Sequence, residues 1–163
     1  MAATILAGCT RSDGNAQPAN GAQPAVPAAQ PSGPPQTDTL TGLYESGAGP
    51  RHAQLCMVQR DGSPTGFGLV TWGTGDANCS GSGVAVRDGA RLQLQLDGDQ
   101  NCTLEARIEG GRVTMPGEVP EACQRYYCGP GARLTGVQFD KTGGTEADAA
   151  RARDLVGDPL CGG

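Results

Sequence analysis

Two runs decide the fold: Leu92-Gln93-Leu94-Gln95-Leu96 and Leu104-Glu105-Ala106-Arg107-Ile108, joined through Asp97-Gly98-Asp99. Apolar and polar residues alternate strictly in both. A period of two puts one face of each run against a core and the other in water, whereas a helix requires 3.6. The turn chemistry between them makes the pair a hairpin. Working outward, similar short runs predict strands at 40–45, 53–60, 66–72, 79–86, 91–96, 102–108, 112–115 and 132–139. Asp61-Gly62-Ser63-Pro64, Arg87-Asp88-Gly89 and Glu109-Gly110-Gly111 supply other turns. The predicted fold is all-β: a small antiparallel up-and-down meander, closed as a barrel or folded as a sandwich, with a short C-terminal helix.

Gly75-Asp76-Ala77-Asn78-Cys79 and Gly98-Asp99-Gln100-Asn101-Cys102 echo one another as Gly-Asp-x-Asn-Cys. Each opens a strand at the same end of the meander, so the echo reads as a repeated turn. Strands flanking a common neighbour lie near 10 Å apart, twice the strand spacing. This disfavours a Cys79–Cys102 disulfide, which needs Cα atoms within about 7 Å. Residues 121–127 read as a helical turn. Thr145 is placed to cap a helix over 146–156, with Asp148 completing a variant capping box and Gly157 ending it. Ala149, Ala152, Leu155 and Val156 give that helix a thin apolar stripe.

The seven cysteines are an odd number. Cys9 stands apart, after Leu6-Ala7-Gly8 and the apolar stretch that precedes it. The string Leu-Ala-Gly-Cys resembles the lipobox of bacterial lipoproteins. The resemblance implies cleavage before Cys9, acylation of Cys9, and a periplasmic, membrane-tethered chain. It also implies outer-membrane sorting, because Thr10 rather than Asp follows the cysteine. Residues 1–8 then read as the remnant of a signal peptide whose basic start lies upstream. Residues 10–38 hold six Pro, six Ala, four Gln and three Gly, and Val26 is the one larger aliphatic. Such a segment buries too little apolar surface to offset its ordering entropy, so 9–38 is expected to be a lipidated, disordered tether. The domain is 39–163. Its cysteines Cys56, Cys79, Cys102, Cys123, Cys128 and Cys161 are expected to form three disulfides, for which 15 connectivities exist. Cys128–Cys161 is the first-choice pair, because a strand over 132–139 followed by an antiparallel helix would return Cys161 toward the strand's start.

Net charge is −5, with one Lys and one His, so no clustered basic surface for nucleic acid is expected. No metal site or cofactor is expected. Asp97, Asp99 and Asn101 match the first half of a calcium loop, but Cys102 stands where Gly is needed and Ile108 where Glu is needed. His52 is the one imidazole that could activate a serine, with Ser46, Ser63, Ser80 and Ser82 as partners. Ser80-Gly81-Ser82-Gly83 resembles the SGSG stretch of the membrane-bound inhibitors of c-type lysozyme, which are small β-barrel envelope lipoproteins. The tyrosine that follows in that family is Val86 here, Trp72 precedes the stretch, and Lys141 is remote from it. The resemblance implies a recognition loop at Ser80, Gly81, Ser82 and Gly83. The alternative reading is a strand whose glycines allow close backbone approach.

The sequence thus points to a non-catalytic binding or inhibitor module with a protein or small-ligand partner in the periplasm. Structural or assembly-accessory lipoprotein and envelope hydrolase are the alternatives. Limited proteolysis should cut within 10–38 and leave a resistant fragment beginning near Thr39, detected by N-terminal sequencing; a protected linker would contradict the tether reading.

Overall fold

The computed structural model describes residues 39–98 and 102–161. Eight strands follow in order: β1 (Gly42–Ser46), β2 (Ala53–Val58), β3 (Thr65–Trp72), β4 (Asn78–Asp88), β5 (Arg91–Leu96), β6 (Thr103–Glu109), β7 (Arg112–Thr114) and β8 (Gln138–Gly143). Each pairs antiparallel with its chain neighbour, and β8 returns to β1, closing the barrel. Of the two predicted arrangements, the barrel is the one formed. Full closure leaves no open sheet edge.

The alternation that predicted the strands also sorts their side chains. Leu92, Leu94 and Leu96 of β5 point inward with Leu104, Ala106 and Ile108 of β6, all at most 5% exposed. Tyr44, Leu55, Met57, Leu69 and Phe139 complete the interior. Fully burying such a side chain contributes about 1.5–3 kcal/mol. Among the described residues the interior is therefore a packed core.

One end of the barrel is closed by the segment between β7 and β8. It carries α1 (Glu121–Tyr127) and the buried Met115, Ala132 and Leu134. Two disulfides hold it: Cys79–Cys128 and Cys102–Cys123. The Gly-Asp-x-Asn-Cys echo thereby gains a physical meaning, because each copy places a cysteine at the same barrel end and each cysteine anchors the cap. Tyr127 inserts over the barrel and donates its hydroxyl to the Asp97 carbonyl. Gln124 holds the return loop, donating to the Ala132 carbonyl at 2.7 Å and accepting from Leu134 N–H at 3.2 Å. At the opposite end Leu40 enters the core, and the Tyr44 hydroxyl donates to its carbonyl at 2.9 Å.

Three expectations are corrected. The last strand is Gln138–Gly143 rather than 132–139, because Ala132 and Leu134 are spent on the cap. The capping box of Thr145 and Asp148 forms as read, but the helix α2 spans only Glu146–Ala149. Past it the backbone is taken by other partners: Arg153 N–H donates to Gln54 at 3.0 Å, the Ala152 carbonyl accepts from Leu160 N–H at 3.0 Å, and the Asp154 carboxylate accepts from Val156 N–H at 2.9 Å and Asp158 N–H at 2.8 Å. Ala149 and Ala152 are buried against the outside of β1 and β2, while Leu155 and Val156 are exposed. Finally, Cys161 pairs with Cys56, not Cys128, with Cα atoms 5.9 Å apart. Cys128 is engaged by Cys79 at the cap, and Cys56 faces outward from β2 beneath the C-terminal segment.

The Cys56–Cys161 bridge spans a sequence separation of 105, for which the chain-entropy model gives roughly 4–5 kcal/mol. The double variant Cys56→Ala/Cys161→Ala is expected to lower the melting temperature and expose Ala152–Leu160 amides to hydrogen exchange. Protection in β5 and β6 should persist at the same denaturant concentration, and equal loss in both regions would contradict an external strap.

Candidate functional site

The outer face of β2, β3 and β4 carries the most distinctive surface. The register aligns Val58 with Gly66 and Gly66 with Val84; one row on, it aligns Cys56 with Gly68 and Gly68 with Ser82. Residues two apart on a strand share a face. Gly66 and Gly68 therefore leave two adjacent notches between flanking side chains. A Cβ on Gly68 would lie 2.5 Å from the Leu160 carbonyl oxygen and 2.8 Å from Leu160 Cγ, so Leu160 occupies that notch. A Cβ on Gly66 would meet only the Val58 carbonyl oxygen, at 3.9 Å. The second notch is open. It belongs to a groove of about 270 Å³ lined by Val58, Arg60, Pro64, Gly66 and Leu160, with Ser63 at its rim. Arg60 is exposed and makes no ion pair with any described residue.

Ser80, Gly81, Ser82 and Gly83 border this face but form no loop. They lie inside β4, paired with Val70, Leu69, Gly68 and Phe67 of β3. Their glycines are explained by packing. A Cβ on Gly81 would lie 2.5 Å from Leu96 Cδ2 and 3.1 Å from Tyr127 Cδ1; one on Gly83 would lie 1.9 Å from the Gln95 carbonyl oxygen. Ser82 is exposed and donates to the Asp97 carboxylate at 3.3 Å. Val86, on the same outward set, is 57% exposed. The stretch that resembled a recognition loop is thus a strand whose backbone approaches its neighbours closely, as the alternative reading had it.

His52 sits at the capped end, in a surface hollow with Glu45, Ser46, Gln138, Asp140 and Thr142. Its Nδ1 lies 2.7 Å from the Gly49 carbonyl oxygen and so carries a proton. Its Nε2 lies 2.8 Å from Glu45 Oε1 and 3.0 Å from Gln54 Nε2. Both ring nitrogens are occupied, and no serine is among their partners, so the serine–histidine arrangement considered from sequence is not formed. The other Glu45 oxygen accepts from Thr142 at 2.6 Å, and Gln54 accepts from Arg153 N–H at 3.0 Å. One cluster thereby ties the β1–β2 loop to β8 and to the C-terminal segment. Asp140, nearby, is paired with Arg112 at 2.6 Å.

The Gly49 carbonyl beside Nδ1, aided by Glu45, raises the His52 pKa above its usual 6.5, against a smaller opposing effect of burial. The Thr142 hydroxyl, followed by His52 and Gln54, lowers the Glu45 pKa below 4.5 despite burial. Cys9, Asp99 and Asn101 lie outside the described residues. Among the described residues no three His, Cys, Asp or Glu side chains gather as metal ligands. Trp72, half-buried at the capped end, lies under the Arg51 guanidinium at 5.6 Å, and Arg51 also pairs with Asp76 at 2.6 Å.

Sequence reading missed the Gly66 groove and the Glu45–His52 pair. For the groove a signal existed: Gly66-x-Gly68 within a strand pattern marks two bare positions on one face. Nothing local to Leu160 announces that it fills one of them. No protein-family model, curated protein or solved structure matches this chain.

The raised His52 pKa means that its contribution to stability is present below pH 6.5 and is lost as pH rises through the folded-state value. The lowered Glu45 pKa means that its contribution is present above pH 4.5 and is lost as pH falls through its folded-state value. Thermal stability from this pair should therefore be greatest between pH 4.5 and 6.5. In Glu45→Gln the decline above pH 6.5 should flatten; an unaltered pH profile would rule out the coupling.

Proposed function

We propose that the chain is an envelope lipoprotein, acylated at Cys9, that presents its barrel as a non-catalytic binding module in the periplasm, anchored to the outer membrane. The observation that carries the binding reading is the open notch over Gly66. With the interior filled by leucines, methionines and aromatics, a partner must engage the outside of the barrel, and the Gly66 face offers apolar relief there. The address rests on two sequence features. Leu6-Ala7-Gly8-Cys9 supplies the anchor motif, and the Pro/Ala/Gln composition of 10–38 suits a spacer. The three disulfides fit an oxidising compartment, which agrees with that address.

The partner's footprint is drawn on the outer face, with Val58, Val84 and Val86 around the notch and Ser82 beside it. Insertion of Ser80 and Ser82 into an enzyme cleft as a flexible loop is not part of this reading, because both lie within the β4 ladder.

Two measurements test the proposal. Expressed behind a complete signal sequence, the natural chain should fractionate with detergent-extracted membranes, since acyl chains contribute about 0.8 kcal/mol per buried CH₂. Cys9→Ser should be released to the soluble fraction or remain unprocessed; an acylated, membrane-bound Cys9→Ser protein would refute the anchor. Crosslinking from a photoreactive residue at position 86 should capture a discrete envelope component, while the same residue at position 105 should capture none. Equal labelling from both positions would refute a defined binding face.

A further inference from the structure

We propose that the Gly66 notch is a binding site for an aliphatic carboxylate: a branched or short unbranched hydrocarbon group seated over Gly66, with its carboxylate on Arg60. This names the ligand class of the face described above and so rests on the binding-module reading.

The protein itself demonstrates what such a notch accepts. Gly66 and Gly68 are two positions apart on the same face of β3, each between an outward residue of β2 and one of β4. At Gly68 the space left by the missing side chain holds the aliphatic Leu160 together with its backbone carbonyl. The Gly66 notch repeats that geometry one step along the strand. Its register partners are more apolar, Val58 and Val84 where the Gly68 row has Cys56 and Ser82, and Val58 lines the groove. Leu160 forms one side of it. The unfilled site therefore suits the same kind of group as the filled one.

Charge completes the assignment. Most of the described arginines are engaged: Arg51, Arg91, Arg107, Arg112, Arg125 and Arg151 each face a carboxylate. Arg60 lines the open groove without such a partner, and Ser63 stands beside it across the turn that Ser63 N–H closes onto the Arg60 carbonyl at 3.0 Å. A guanidinium presents a planar fork that matches a carboxylate. A hydrocarbon group on Gly66 with its carboxylate directed toward the Asp61-Gly62 turn would meet both features at once. A peptide ending in an aliphatic residue and a short fatty acid share this chemistry.

The test uses the full chain, labelled with ¹⁵N, and three probes: N-acetyl-leucine, octanoate and the neutral N-acetyl-leucinamide. The expected result is saturable chemical-shift change at Val58, Arg60, Gly66, Val84 and Leu160 with at least one of the two carboxylates. Saturation by N-acetyl-leucine alone assigns the site to peptide C-termini, and saturation by octanoate alone assigns it to fatty acids. Gly66→Leu should fill the notch and weaken binding at least tenfold. Gly66 does not need a left-handed backbone and has open space above it, so this variant is expected to fold. Arg60→Gln leaves the notch intact and should weaken the carboxylates about two- to fivefold, the range of an exposed ion pair, while leaving the amide unchanged. The inference is overturned if neither carboxylate shifts these resonances, if Gly66→Leu binds as the natural chain does, or if Arg60→Gln leaves carboxylate binding unaltered. Failure here with a discrete crosslink still formed from position 86 removes the ligand class and leaves the binding module standing; loss of both removes the module.

Discussion

The hydrogen-bonded pairing of β8 with β1 is the constraint on which the rest of this domain depends. Without it β1 would present an open edge, and the leucines of β5 and β6 would face solvent across an incomplete sheet. β8 has little to recommend it as a strand by itself. In Gln138–Gly143 only Phe139 is a large apolar residue, and it is fully buried. The strand exists because β7 on one side and β1 on the other supply its partners, and because Lys141 and Thr142 reach across to the Thr39 carbonyl and to Glu45. The cap between β7 and β8 delivers it there. Tyr127, Gln124 and the disulfides that hold α1 are thus indirectly responsible for barrel closure.

This dependence explains what was legible in the sequence. The β5–β6 hairpin was readable almost to the residue, because its information is local: alternation, turn, alternation. α1 and the Thr145–Asp148 capping box were readable for the same reason. The segment 132–139 misleads because Ala132-x-Leu134 and Val137-x-Phe139 each imitate the alternation of a strand, while the two pairs are out of phase and the first serves the cap. Helix α2 is shorter than its local pattern implies because Gln54 and Leu160, both distant along the chain or beyond the helix, take the Arg153 N–H and the Ala152 carbonyl that a continued helix would use. The cysteine pairing depended on both errors. Once the last strand starts at Gln138 and the helix stops at Ala149, Cys161 has no route to Cys128.

The candidate site was less accessible to reading, for a related reason. The importance of Gly66 comes from comparison with Gly68, and that comparison exists only once Leu160, distant in sequence, lies on β3. His52 and Glu45 are similar: the hairpin from Glu45 to Ala53 brings them together and supplies the Gly49 carbonyl that raises the His52 pKa, but the Thr142 hydroxyl that does most to lower the Glu45 pKa comes from β8. Local pattern gives the wall of a barrel. What stands on that wall is decided by segments that arrive from elsewhere.

The disulfide connectivity has a consequence for biogenesis. A chain that enters an oxidising compartment from its N-terminus presents Cys56, Cys79, Cys102, Cys123, Cys128 and Cys161 in that order. Joining them as they emerge would give 56–79, 102–123 and 128–161, of which only the middle link is native. The other two native links need partners that arrive after intervening cysteines have passed. Oxidation in order of appearance therefore traps two wrong links out of three, and maturation requires that they be broken and re-formed by attack of a thiolate on a disulfide sulfur. The native Cys56, Cys79 and Cys102 sulfurs end fully buried, so this reshuffling belongs to the period before the cap seats and the C-terminal strap closes. A chain oxidised in that order depends on disulfide isomerisation as well as on oxidation.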